Sequence, residues 1–152
     1  MRKAVRWAAV LVVVVLVAIQ FFGPVRTSPA TDPSETLTAT GRLTPEVSAI
    51  LDRSCRDCHT NETRWPWYSR VAPMSWGVIG HVNHGRRRMN LSKWASYDSE
   101  DARGFLADMC ALTRRHDMPL PSYTWIHRDA RLSYQEIAAL CAWTEALRTA
   151  DR

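Results

Sequence analysis

The sequence predicts an all-α chain, with a membrane-length helix at the start and one small helical domain behind it. Three patterns carry that expectation. An apolar run from Trp7 to Ile19 follows Arg2, Lys3 and Arg6. Beyond it, apolar residues recur at the spacing of helices in three separate stretches. No run alternates with the period of two that a half-buried strand needs, and no segment repeats.

The first element extends from Ala4 to Phe22, interrupted only by Gln20 near its end. As a helix it would be about 28 Å long, close to the thickness of a bilayer core. A cleaved signal peptide is the rival reading, since an h-region needs only about 7 to 15 apolar residues. Cleavage also needs small residues soon afterwards, where this chain has Phe21, Phe22, Gly23 and Pro24. Ser28-Pro29-Ala30 is small-x-small but lies far downstream and contains a proline. Residues 1–22 are therefore read as an uncleaved anchor. The basic flank predicts a cytoplasmic N-terminus and a domain outside the cytoplasm, periplasmic or otherwise extracytoplasmic.

Removing that anchor leaves 130 residues, enough for one modest core. The net charge of +5 includes the three cations before the anchor, so the remainder holds 17 Lys/Arg against 15 Asp/Glu. So mild an excess argues against a nucleic-acid partner. Residues 23–43 carry Pro24, Pro29 and Pro33 among Ser, Thr, Ala and Gly, without apolar periodicity. They read as a flexible linker that cannot bury enough surface to offset chain entropy. Extended at about 3.1 Å per residue, it would hold a domain of residues 44–150 up to ~60 Å from the membrane.

That domain should begin with a helix capped by Thr44, with Pro45 at the first position and Glu46 complementing the dipole. Val47, Ile50 and Leu51 form its inner side, continued by Ser54, Cys55 and Cys58. A second helix is expected from about Ser99 to Arg115, with Phe105, Leu106, Met109, Cys110, Leu112 and Thr113 inward. Met118-Pro119-Leu120-Pro121 stops it. The last helix should open with Ser133 and Glu136 as a capping box. It would bury Ile137, Leu140, Cys141, Trp143, Thr144 and Leu147.

Cys55-Arg56-Asp57-Cys58-His59 carries the chemistry. Two cysteines three apart lie on one side of a turn, so both thiols can add across the vinyl groups of one haem. The following imidazole can then take the iron. This is the c-type haem attachment signature. A thioether haem needs export, which the N-terminus supplies. Zinc would want four N/S ligands, and no second close Cys/His pair exists. A thioredoxin-like pair would want a strand before it, where a helix is expected. The reading is one covalent haem c in an all-α, cytochrome c-like domain, with His59 as proximal ligand.

Met118 is the first candidate for the second axial position. It follows a helix and sits in a proline-fixed loop, where a weak thioether loses little entropy on coordination. His81 is the principal alternative, with His84, His116 and His127 behind it, and Met74, Met89 and Met109 lower still. Cys110 and Cys141 fall on the apolar faces of two helices expected to pack, and an oxidising compartment would let them pair. The competing reading makes them two buried hydrophobes that never meet.

The chain also resembles the bacterial haem-binding domain family with a cytochrome c-type motif. The resemblance rests on Cys55-x-x-Cys58-His59 and on Asn61 through Ser69, which includes Trp65-Pro66-Trp67-Tyr68. It continues through Val71-Ala72-Pro73-Met74-Ser75-Trp76, His81-Val82, Gly85-Arg86, Asn90 through Trp94, Met118-Pro119 and Tyr123. It runs from about Gln20 to Arg148 and implies a membrane-anchored, exported haem protein. Cys110 and Cys141 are outside its pattern.

Trp65, Trp67, Tyr68 and Trp76 surround two prolines and read as an irregular wrap that covers a porphyrin, builds the core, or both. Arg86 in Arg86-Arg87-Arg88 is a candidate partner for haem propionates, a steering patch, or a solvated turn. The function expected is one-electron transfer with a redox partner protein that the sequence does not identify. The alternatives are a haem-based redox or gas sensor and a peroxidase-like accessory with an open distal site. The enzyme readings rank below electron transfer because no catalytic acid–base pair is evident.

Overall fold

A computed structural model describes residues 1–150. It is all-α, with no strand among the described residues. The first helix, α1 (Arg2–Ala18), runs on through a 3-10 turn to Phe21. Together they are long and apolar enough to cross a membrane, and none of this stretch is buried against the domain.

In the domain, α2 (Pro45–Ser54) starts where expected, with the Thr44 hydroxyl accepting from the Val47 N–H at 3.2 Å. Val47, Ile50, Leu51 and Ser54 are buried. The short α3 (Arg56–His59) follows at once and carries the motif. Next come α4 (Met74–Arg88), α5 (Ser99–Arg114) and α6 (Pro121–Ile126), and α7 (Tyr134–Ala150) closes the domain. The capping box at the start of α7 is made in both directions. The Ser133 N–H donates to Glu136 Oε2 at 2.8 Å, and the Glu136 N–H donates to Ser133 Oγ at 3.2 Å.

The helices α5 and α7 pack together, and α2 packs across α7. Ile50, Leu106, Met109, Leu140, Trp143 and Leu147 meet in the core, and Cys55 packs against its edge. Cys110 on α5 and Cys141 on α7 are joined by a disulfide, with their Cα atoms 4.8 Å apart.

The segment expected as a free linker lies along the domain instead. Leu37 is 2% exposed and belongs to the core. Asp32 and Thr36 cap successive 3-10 turns, and Gly41 ends the second with φ of 65°, a left-handed conformation that suits glycine. The Asn61 amide donates to the Ala30 carbonyl at 3.0 Å, and the Trp143 indole donates to the Arg42 carbonyl at 2.8 Å. Composition misreads this stretch because one apolar anchor and a set of backbone acceptors hold it, and neither leaves a periodic trace.

Candidate functional site

The motif turn is fixed from behind by glycine. A Cβ built on Gly85 of α4 would sit 2.5 Å from the Cys58 carbonyl oxygen and 3.2 Å from Cys58 Cβ. Only a residue without a side chain lets α4 approach α3 so closely. Gly80, on the same helix, has nothing within 4 Å of its built Cβ. The two positions should therefore respond oppositely to alanine. Gly80→Ala should stabilise the protein by about 0.5–1 kcal/mol through helix propensity. Gly85→Ala gains the same propensity but overpacks a backbone contact, a cost of about 1–3 kcal/mol. Thermal unfolding of the two variants should show Tm rising for the first and falling for the second.

The imidazole of His59 is half-buried, and its Nδ1 lies 3.0 Å from the Met89 carbonyl at the end of α4. A carbonyl can only accept, so Nδ1 carries the proton and donates. Nε2 is left with its lone pair, the state a metal ligand requires. Burial lowers the His59 pKa, while the carbonyls of Met89 and Gly85 oppose the shift. The net direction favours the neutral, ligating form.

The thiols of Cys55 and Cys58 are both unbonded. Burial pushes Cys55 up to about 12 and Cys58 up to about 11, with Asp57 adding to the second shift. Burial thus disfavours the thiolate that disulfide exchange uses. Among the described residues, no three His, Cys, Asp or Glu side chains converge as a metal cluster.

Cys58 opens onto a cavity of about 360 Å³. Its apolar wall includes Val78, Val82, Leu120 and Ile126. Within this wall lies a polar chain. The Tyr68 hydroxyl is 2.6 Å from His127 Nε2, His127 stacks on Tyr123 with ring centroids 4.3 Å apart, and the Tyr123 hydroxyl donates to Asp57 at 2.9 Å. Desolvation raises both phenols, with the Asp57 charge reinforcing the shift, so Tyr68 and Tyr123 remain protonated. Asp57 also receives the Arg64 guanidinium at 3.0 Å, which ties the motif turn to the loop after it.

The candidates named from sequence separate here. Tyr68, His81, Met74 and His127 line the cavity with Cys58. Met118 lines a neighbouring cavity with His116, Trp125 and Leu132. Leu120, two residues on, faces the first cavity, so the Met118–Pro121 loop forms a partition between them. Trp67 is 76% exposed, and Trp65 donates to the Ser28 hydroxyl at 3.2 Å. Arg86 reaches the Thr60 carbonyl at 2.7 Å, the Thr27 carbonyl at 2.8 Å and the Thr63 hydroxyl at 2.8 Å, which makes it a clasp on the loop after His59.

Sequence reading missed the Met89 carbonyl and the buried Asn90-to-Asn61 amide bond of 2.9 Å, which steadies the same loop. It also missed the role of Gly85, for which a glycine inside a helical pattern was the available signal.

The family model described as a haem-binding domain matches residues 14–146. No curated protein and no solved structure matches the chain.

Proposed function

Because this chain belongs to the haem-binding domain family, we propose that it is an exported, membrane-held c-type haem protein that transfers single electrons. The observation that carries this reading is the half-buried His59 imidazole, whose Nδ1 donates to the Met89 carbonyl and so leaves the lone pair on Nε2. The rest of the turn fits the cofactor. Two of the four cysteines are consumed by a disulfide elsewhere, and the two left free are the pair beside that histidine. Cys55, Cys58 and His59 would hold one haem c, which when bound supplies an iron that cycles between ferric and ferrous states.

The protein's own contribution is to orient and enclose. Gly85 lets α4 press on the turn, Met89 fixes the ring of His59, and Arg64 and Arg86 hold the loop beyond it. The cavity beside Cys58 offers the cofactor a largely apolar wall. Met118 remains the proposed sixth ligand, from the loop dividing the two cavities, with His81 the rival from the cavity wall.

A second reading is favoured by one observation, the hydrogen-bonded Tyr68 and His127 side chains in a largely apolar wall. A polar pair there suits a small ligand at an open sixth position, as in a sensor or a peroxidase-like accessory. Spectra of the purified full chain separate the two. Electron transfer predicts a low-spin, six-coordinate haem that binds carbon monoxide slowly, with a ferric sulfur charge-transfer band that disappears in Met118→Ala. A high-spin site with rapid carbon monoxide binding supports the second reading. A spin change in His81→Ala with no effect of Met118→Ala transfers the ligand role to His81.

A further inference from the structure

The end of α1 is not separated from the domain. Gln20, the polar interruption in the apolar run, clamps the backbone of Ala72 from both sides. Its amide donates to the Ala72 carbonyl at 3.2 Å, and its oxygen accepts from the Ala72 N–H at 2.9 Å. Two residues on, the Phe22 carbonyl accepts the Trp76 indole N–H at 2.8 Å. Gly23 is packed so tightly against that indole that an added Cβ would lie 2.6 Å from Nε1. Arg26 then donates to the Ser69 carbonyl at 3.2 Å. Residues 69–76 are therefore level with the last turn of the apolar helix, not suspended beyond it.

The same segment presents apolar side chains outward. Trp67 is 76% exposed, Met74 51%, Val71 45% and Trp76 39%, beside Phe21 at 82% and Phe22 at 72%. Several large exposed apolar side chains around one tether point suit an interaction site. Its composition, tryptophan with Met and Val and the exposed cations Arg26 and Arg70, matches the headgroup level of a bilayer. There indole rings are favoured, and arginine meets phosphate.

We infer that the end of the domain carrying Trp67, Val71, Met74 and Trp76 rests in the lipid surface of the membrane that α1 crosses, so that the domain is seated on the bilayer. The inference rests on the reading of α1 as an anchor. Gln20 supplies independent support for the height of the contact. An amide at the edge of the hydrocarbon needs its hydrogen bonds satisfied internally, and the Ala72 backbone provides both donor and acceptor. Pro73 and Met74 also line the cavity beside Cys58, so the rim of that cavity lies at the membrane surface.

The test is photocrosslinking of the full chain in phospholipid vesicles, with p-benzoylphenylalanine placed singly at exposed positions and adducts read by mass spectrometry. Val13→p-benzoylphenylalanine, within α1, reports on the anchor. Trp67→p-benzoylphenylalanine and Met74→p-benzoylphenylalanine report on the seat. Tyr134→p-benzoylphenylalanine, a comparably exposed aromatic position at the start of α7, is the control. Phospholipid adducts at 13, 67 and 74 with none at 134 support the inference. Adducts at 13 but not at 67 or 74 overturn the seat and leave the anchor standing. No adduct at 13 overturns the anchor and the seat with it. Equal adducts at 134 overturn the assignment to this end of the domain.

Discussion

The Cys55→Ala/Cys58→Ala double variant, made in a host with cytochrome c maturation, is expected to carry no haem after denaturation. The wild-type chain from the same host should retain the added mass of one haem under the same treatment, and a pyridine haemochrome should report thioether attachment. The expected effect is all-or-none because each sulfur would bond to a former vinyl carbon, and a covalently bonded porphyrin would survive unfolding. The single variants should each keep one thioether with an altered haemochrome maximum. His59→Ala separates attachment from ligation. Both thiols remain, but the imidazole anchored on Met89 is lost, so haem that attaches should show disturbed coordination. An apo mass for the wild-type chain in a competent host would sink the covalent reading while leaving the family's haem binding intact.

The second large effect concerns the cross-link between α5 and α7. Reducing the Cys110–Cys141 bond, or replacing both residues by alanine, should lower stability by roughly 2–4 kcal/mol. The bond closes a loop spanning 31 positions and joins α5 to α7, the pair of helices that forms much of the core. Cys141 is also 5% exposed, so Cys141→Ala removes packed sulfur as well as the bond. Denaturant unfolding of the oxidised and reduced protein measures the difference at unchanged haem content. Alkylation of unfolded, unreduced protein should label neither thiol. Two labelled cysteines, or equal stability before and after reduction, would contradict the expectation.

Much of the domain was legible because its signals are local. Thr44-Pro45-Glu46 and Ser133 with Glu136 name the starts of α2 and α7, and each cap is made by atoms within three residues of its partner. The inward faces of α2 and α7 follow from 3.6-residue periodicity alone. The end of α5 at Arg114 precedes the Met118-Pro119 stop by a few residues. The motif itself is local too, since its chemistry requires two thiols and an imidazole on one turn.

What failed was non-local. The linker reading overlooked Leu37, because one apolar residue in a polar stretch has no period, yet its side chain is in the core. Nothing in Arg86-Arg87-Arg88 as a sequence shows that the Arg86 guanidinium bonds backbone carbonyls from two separate segments. The Met118 loop could be placed after a helix, but not on either side of a partition between cavities.

The sequence by itself determined the helical class, the two thiols and imidazole of the Cys55–His59 turn, the membrane-length first helix and the helix caps. Each depends on residues within a few positions of one another, where backbone geometry leaves few choices. Only the tertiary structure decided which carbonyl orients His59, why residue 85 must be glycine, and which cysteines pair. It alone also decided that the supposed linker is held against the domain. Those outcomes depend on contacts across tens of residues, where close packing and hydrogen-bond satisfaction select one arrangement and leave no pattern in the chain.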